Sequence, residues 1–139
     1  MKSYWDSSAV INAAVSEAVM DRLETGEHIT RLHTLAEVFS IMTSRGVLIR
    51  DEAGSPARFR FGPQECADWL RQFSDKVQFE ELDKAELLAA LNKAQELSVQ
   101  GGRIYDYWHA LVSKKAKADT LLTRNTEHFA DYIDNVAWP

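Results

Sequence analysis

Apolar positions along this chain alternate between short runs and stretches in which they recur every three or four residues, and each change of period marks a change of element. Ser3 to Trp5 predicts a short strand that stops at Asp6, and the Asp-Ser-Ser cluster supplies side-chain oxygens for a helix beginning at about Ser8. That helix carries Val10, Ala14, Val15 and Ala18 on one face and ends near Thr25-Gly26. "EHITRL" predicts a second strand, and "HTLAEVFSIMTSRG" a helix with Leu35, Val38, Phe39 and Met42 at helical spacing, closed by Gly46. Between Val47 and Gly62 the pattern weakens into charge, Gly and Pro, which reads as an extended or hairpin-like excursion. Pro63 then opens a helix in "PQECADWLRQF", and "KVQFEEL" is a third strand candidate. "DKAELLAALNKAQELS" is the clearest amphipathic helix, with Leu87, Leu88, Leu91, Ala94 and Leu97 along one side. Gly101-Gly102 breaks the chain before the helix "YDYWHALVSKKAKA", after which "DTLLT" and "VAW" give a fourth and a fifth strand.

Strands alternating with helices imply an α/β fold with a parallel sheet covered on both faces. The 139 residues, 45% of them hydrophobic, suit one domain over 1–139 with its own core. No apolar run approaches the roughly 18 residues of a membrane span, and "MKSYWDSSAVINAAV" lacks a long apolar stretch with a cleavage site, so a soluble cytoplasmic protein with no membrane partner is expected. Cys66, the single cysteine, allows no internal disulfide and makes no zinc site by itself; it is expected to pack at the start of a helix. A net charge of -5 argues against gripping nucleic acid by bulk electrostatics. It leaves room for a local basic groove, since Arg45, Arg50, Arg58, Arg60 and Arg71 gather mid-chain and Lys114, Lys115, Lys117 and Arg124 near the end. The ordinary reading of either group is a solvated face.

Ligands of open parallel sheets bind where the strands end. Asp6 follows the first strand, Asp106 stands at the entry to a helix, Asn125 follows "TLLT", and Glu37 lies on the first turns of the second helix. Each has an ordinary explanation. Asp6 is a helix cap, Glu37 stands three residues after Thr34 at capping-box spacing, the helix dipole favours Asp106, and Asn125 suits a turn, as Asp119 suits a surface position before a strand. Together they are more telling, because carboxylates clustered without a paired cation are costly unless a metal sits among them. Oxygen donors without Cys or a His pair select a hard cation, Mg2+ or Mn2+, and such an ion serves phosphodiester hydrolysis by polarising a phosphoryl oxygen and activating water.

Four motifs in order, "WDSSAVIN", "TLAEVFS", "IYDYWHALV" and "DTLLTRNTEHF", carry a likeness that spans nearly the whole chain. In them the sequence resembles the PIN-domain nucleases, and within those the VapC-like ribonuclease toxins of toxin-antitoxin pairs. The resemblance implies a PIN-like three-layer α/β/α sandwich with a central, mainly parallel sheet of about five strands. It places the family's acidic quartet on Asp6, Glu37, Asp106 and Asn125, with Asp6, Glu37 and Asp106 as metal ligands and Ser8 and Thr123 in support. Two departures stand out: Asn125 replaces the Asp of many members, and His128 stands where many relatives with Thr-x-Asn carry an acid. His109, on the face of Asp106, is read either as orienting a ligand or water or, more commonly for such a histidine, as a packing residue.

The resemblance further implies RNA as substrate, with Arg124 and Lys114 as candidate backbone contacts alongside Lys115 and Lys117, a homodimer, and a VapB-like antitoxin whose C-terminal segment places an Arg among the carboxylates. Two other enzyme classes fit less well. A dehalogenase-like phosphatase with Asp6 as nucleophile needs a second Asp where Ser8 stands, and a phospho-acceptor domain needs an acidic pair and a late Lys. A non-catalytic alternative is a PIN fold, weakened at Asn125, that binds RNA or a partner.

Overall fold

The first strand, β1 (Lys2–Trp5), ends at Asp6, whose carboxylate accepts the N–H of Ala9 and so starts α1 (Ser7–Val15). The helix predicted to run on to Thr25-Gly26 is broken. Ser16 turns its hydroxyl back to accept the N–H of Val19, a local bond that competes with helix continuation, so a separate α2 (Glu17–Asp21) and a 3-10 turn (Arg22–Glu24) follow. Next come β2 (Glu27–Thr30), α3 (Leu32–Thr43), β3 (Val47–Arg50), β4 (Pro56–Phe59), α4 (Pro63–Ser74), β5 (Gln78–Phe79) and α5 (Lys84–Asn92). The chain closes with α6 (Arg103–Lys115), β6 (Thr120–Leu122), α7 (Thr126–Phe129) and β7 (Val136–Ala137). This computed structural model describes residues 1–50 and 52–139.

Five strands pair in parallel in the order β5-β2-β1-β6-β7, while β3 and β4 form a separate antiparallel hairpin, Val47 opposite Phe59. Successive strand residues point to opposite faces, so the central strands β1 and β6 each feed two cores. Trp5 and Leu122 pack with Val10, Val38, Met42 and Phe73 from α1, α3 and α4, whereas Tyr4, Ile29 and Leu121 pack with Ala90, Ala110 and Phe129 from α5, α6 and α7. The expected α/β/α layering is thereby realised. Leu121 and Leu122 are each fully buried, worth about 1.5–3 kcal/mol apiece relative to exposure. Cys66 is buried in the first of these cores, as expected.

The hairpin-like excursion is a true hairpin, set off from α3 by Gly46. Its φ of +66° suits glycine, and a Cβ there would lie 2.2 Å from the carbonyl oxygen of Phe59.

The leucine stripe expected to bury the amphipathic helix does not. α5 ends at Asn92, and Leu88, Leu91 and Leu97 are 50%, 45% and 42% exposed while Ala90 faces inward. Helical periodicity reveals an apolar face but not what covers it, and it is Ala90 together with the partly buried Ala94 of the stripe that packs against the core. The third strand is likewise shorter than "KVQFEEL" suggested, because β5 is an edge that among the described residues pairs only with β2. No helix among the described residues is long and apolar enough to cross a membrane.

Candidate active site

The strand order reverses at the centre of the sheet. From β1 the chain moves outward through β2 to β5, then returns across β1 to lay down β6 and β7 on the other side. Such a switch point leaves a crevice beyond the carboxyl ends of the two central strands, the usual ligand position in open α/β sheets. Asp6 follows β1 there and Thr123 follows β6, and the Asp6 N–H donates to the Leu122 carbonyl at 3.2 Å, so pairing continues to the brink of the crevice.

Asp6 is buried and fully engaged. Its Oδ1 accepts the Ser8 hydroxyl at 2.7 Å and the Ala9 N–H at 2.9 Å, and its Oδ2 accepts the Thr123 hydroxyl at 2.5 Å. The helix-cap and site readings of Asp6 therefore coexist in geometry, since one oxygen starts the helix while the other reaches across the crevice. Ser8 also accepts the backbone N–H of Arg124, and Thr123 that of Asn125, so both small hydroxyls tie α1 to the segment after β6.

Glu37 reaches the same region from α3. The capping-box explanation for it fails, because α3 begins at Leu32 with Arg31 as its N-cap; Thr34 lies inside the helix, its buried hydroxyl without a partner among the described residues. Instead Glu37 Oε1 lies 3.3 Å from His109 Nε2 and 3.6 Å from His33 Nε2, and Oε2 accepts the Ser7 hydroxyl at 3.4 Å. His109 is buried, and its Nδ1 lies 2.7 Å from the Tyr4 hydroxyl. Burial holds the Tyr4 phenol well above its usual range and hence protonated. An ionised carboxylate only accepts, so Nε2–H donates to Glu37 while the Tyr4 hydroxyl bonds the other ring nitrogen. His109 combines both roles open to it in the sequence: it is packed, and it orients a carboxylate.

Asp106 sits in the first turn of α6, with His128 Nδ1 3.7 Å from its Oδ2. His128, which stands where an acid was expected, thus presents a group able to carry positive charge to the remaining carboxylate. Asn125 is exposed at the head of α7, and its side chain caps nothing. Arg124 is exposed on the same segment. Lys114 is not brought to the crevice. It lies eight residues beyond Asp106 on α6, about 12 Å along the axis at the helical rise. Lys115 is paired with Glu80 and Glu86.

Burial pushes the Asp6 carboxyl upward despite the opposing hydrogen bonds of Thr123, Ser8 and Ala9, and pushes Asp106 upward against the charges of His109, His128 and Arg103. Burial acts in the same sense on Glu37, but the His109 hydrogen bond, with the charges of His109, His33 and Arg31, outweighs it and leaves Glu37 below the ordinary value. His109 is the common electrostatic neighbour of all three acids.

Residues the sequence did not single out line the adjoining wall. Arg31, immediately after β2, is buried with its Nε 3.0 Å from Glu81 Oε2 and its guanidinium 3.9 Å from the Trp108 ring centroid, and Trp108 Nε1 donates to Glu81 at 2.8 Å. Its position was the available signal, since it ends β2 as Asp6 ends β1.

In kind these donors fit a hard divalent cation. Three carboxylates and a nearby amide supply oxygen ligands, two of the acids are disfavoured as anions by burial, and no lysine or arginine is ion-paired to any of the three among the described residues. No three acidic, His or Cys side chains close on one point among the described residues, so the donors surround the crevice without forming a finished cage.

No protein-family model matches the sequence, and neither does any curated protein. Among solved structures, a chain of VapBC-1 from nontypeable Haemophilus influenzae matches with a TM-score of 0.63 and 14% identity, over 99% of this chain and 96% of that one. The two share a fold. The three-layer α/β/α sandwich with a central parallel sheet of five strands, expected at the outset, is therefore the fold observed, and it is the fold of the VapBC-1 chain.

Proposed function

We propose that this chain is a Mg2+- or Mn2+-dependent endoribonuclease, the toxin of a VapBC-like toxin-antitoxin pair. The observation that carries the reading is that Asp6, hydrogen-bonded to Ser8 and Thr123 beside the switch point between β1 and β6, has His109 as an electrostatic neighbour in common with Glu37 and Asp106. The motif resemblance and the fold shared with the VapBC-1 chain support the same assignment.

Asp6, Glu37 and Asp106 would hold the cation, which when bound polarises phosphoryl oxygens and activates water for in-line attack. Ser8 and Thr123 fix the direction of the Asp6 carboxylate. The Tyr4–His109 pair fixes Glu37. Asn125, with no capping duty, is free to orient the attacking water or complete the ligand shell. Hydrolysis breaks the bond from phosphorus to the 3' oxygen and leaves a 5' phosphate. A crevice rich in carboxylates also suits the arginine of a VapB-like antitoxin, and a homodimer is the assembly this reading expects.

The test is cleavage of a total small-RNA pool by protein purified free of any co-expressed partner, with Mn2+ or Mg2+, with chelator, and with Asp106→Asn. Discrete fragments lost with chelator and with the variant are the expected result. Equal cleavage by Asp106→Asn would remove the centre of the proposal. The exposed Asn125 and the proximity of His128 to Asp106 favour one second reading, an RNA- or partner-binding PIN fold with weak catalysis, which predicts metal-independent RNA binding and no fragments.

A further inference from the structure

An open groove of about 860 Å³ leads away from the crevice, between α1 and the β3–β4 hairpin. Ser8 and Arg124 are among its lining residues, and Ser8 is the residue whose hydroxyl binds the Asp6 carboxylate, so groove and crevice share a wall. Arg45, Arg58 and Arg124 stand along it and are exposed, while Ile11, Ile41 and Trp138 give it an apolar lining. A smaller hollow adds Arg60 beside Arg45 and Arg58. Arg58 donates to the Arg45 carbonyl and Arg60 to the Ser44 carbonyl, bonds that collect guanidinium groups at the end of α3 without neutralising them. None of these four arginines enters an ion pair among the described residues.

Charge decides what such a groove suits. The chain carries a net charge of -5, yet this one surface gathers four unneutralised arginines beside an acidic crevice. A polyanion is attracted to the groove and not to the bulk surface. The apolar lining and the half-exposed indole of Trp138, 47% accessible, add a stacking surface that a duplex, with its bases turned inward, does not use.

We infer that the groove between α1 and the β3–β4 hairpin is the track for an unpaired RNA strand entering the crevice, with Arg45, Arg58 and Arg124 on successive phosphates and Trp138 beneath a base. This rests on the nuclease reading for its direction but is tested apart from it. Binding of a fluorescent 12-nucleotide unstructured RNA is measured across salt concentrations in the full-length Asp106→Asn protein.

Because each phosphate contact on a single strand contributes about 0.7 to the slope of log affinity against log salt, Arg45→Ala with Arg58→Ala should lower that slope by roughly 1.4. Arg45→Lys with Arg58→Lys should restore it. Trp138→Ala should weaken binding about ten-fold with the slope unchanged, as expected for loss of stacking. Lys93→Ala, on the opposite face of the sheet, should change neither, and circular dichroism checks that each variant is folded.

Unchanged affinity and slope in the arginine pair overturn the assignment, as does equal or tighter binding of a duplex of the same length. Loss of self-association in the same variants, with RNA affinity intact, would give the groove to a second copy of the chain and equally overturns it. The two readings part cleanly. Metal-dependent cleavage by the parent protein with no effect of the arginine pair sinks the groove alone, and groove-dependent binding without cleavage sinks the nuclease alone.

Discussion

Thr123 donates its hydroxyl to Oδ2 of Asp6 at 2.5 Å, joining residues 117 positions apart in sequence at the ends of adjacent parallel strands. That bond lowers the Asp6 carboxyl against a burial that raises it. Thr123→Val keeps the shape and removes the donor. It should cost about 1–3 kcal/mol, the range for leaving a buried charged acceptor short of a partner, and should raise the Asp6 carboxyl further. Urea unfolding and carboxyl titration by NMR measure both.

Removing an acid should stabilise the fold. Asp106 titrates higher folded than unfolded, so its ionisation works against the native state. The penalty is absent below the unfolded value of about 3.9, grows as pH rises from there, and is complete above the folded value. Asp106→Asn should therefore melt higher than the parent at pH 7, with the gain gone near pH 3. Glu37 is depressed, so its contribution is present above its unfolded value of about 4.3 and lost as pH falls through the folded one. Glu37→Gln should melt lower than the parent at pH 7. Thermal melts across pH 3–7 distinguish the two signs.

Divalent metal should reverse the Asp106 balance. A cation at a hundred times its dissociation constant adds about 2.7 kcal/mol to the state that binds it. Mn2+ should raise the melting midpoint of the parent and leave Asp106→Asn little changed, with EDTA abolishing the difference. An equal rise in both would remove Asp106 from the ligand set.

Tyr4→Phe tests whether Glu37 is held through His109. Without the phenol, Nδ1 loses its partner and the ring that presents Nε2–H to Glu37 is no longer held in place. A loss of about 0.5–1.5 kcal/mol in stability is expected from the missing hydrogen bond, with an upward shift of the Glu37 carboxyl that simple loss of packing would not produce. NMR titration of Glu37 reads the shift directly.

Exposure on α5 gives a contrast with the core. Leu91→Ser should change stability by under about 1 kcal/mol, whereas Leu121→Ala in the sheet should cost about 2–5 kcal/mol. Similar losses from both would mean that the α5 face is covered in solution.

The sequence by itself determined the alternation of strands and helices, because side-chain period follows backbone geometry, and it located Asp6, Asp106 and Asn125 at element boundaries, because strand ends and helix starts have local chemical signatures. It also exposed the hairpin through Gly46 and the Gly- and Pro-rich turn. Tertiary structure decided the rest. Whether Glu37 caps its own helix or faces Ser7 and His109 depends on how α3 packs against α1 and α6, and no local pattern carries that. The leucines of α5 display a helical stripe whatever lies opposite, so their exposure is set by the sheet and not by the helix. Lys114 and Arg124 are alike as sequence, but one lies at the far end of α6 and the other beside Ser8 because parallel strands bring every strand-to-helix connection to one edge and every helix end to the other.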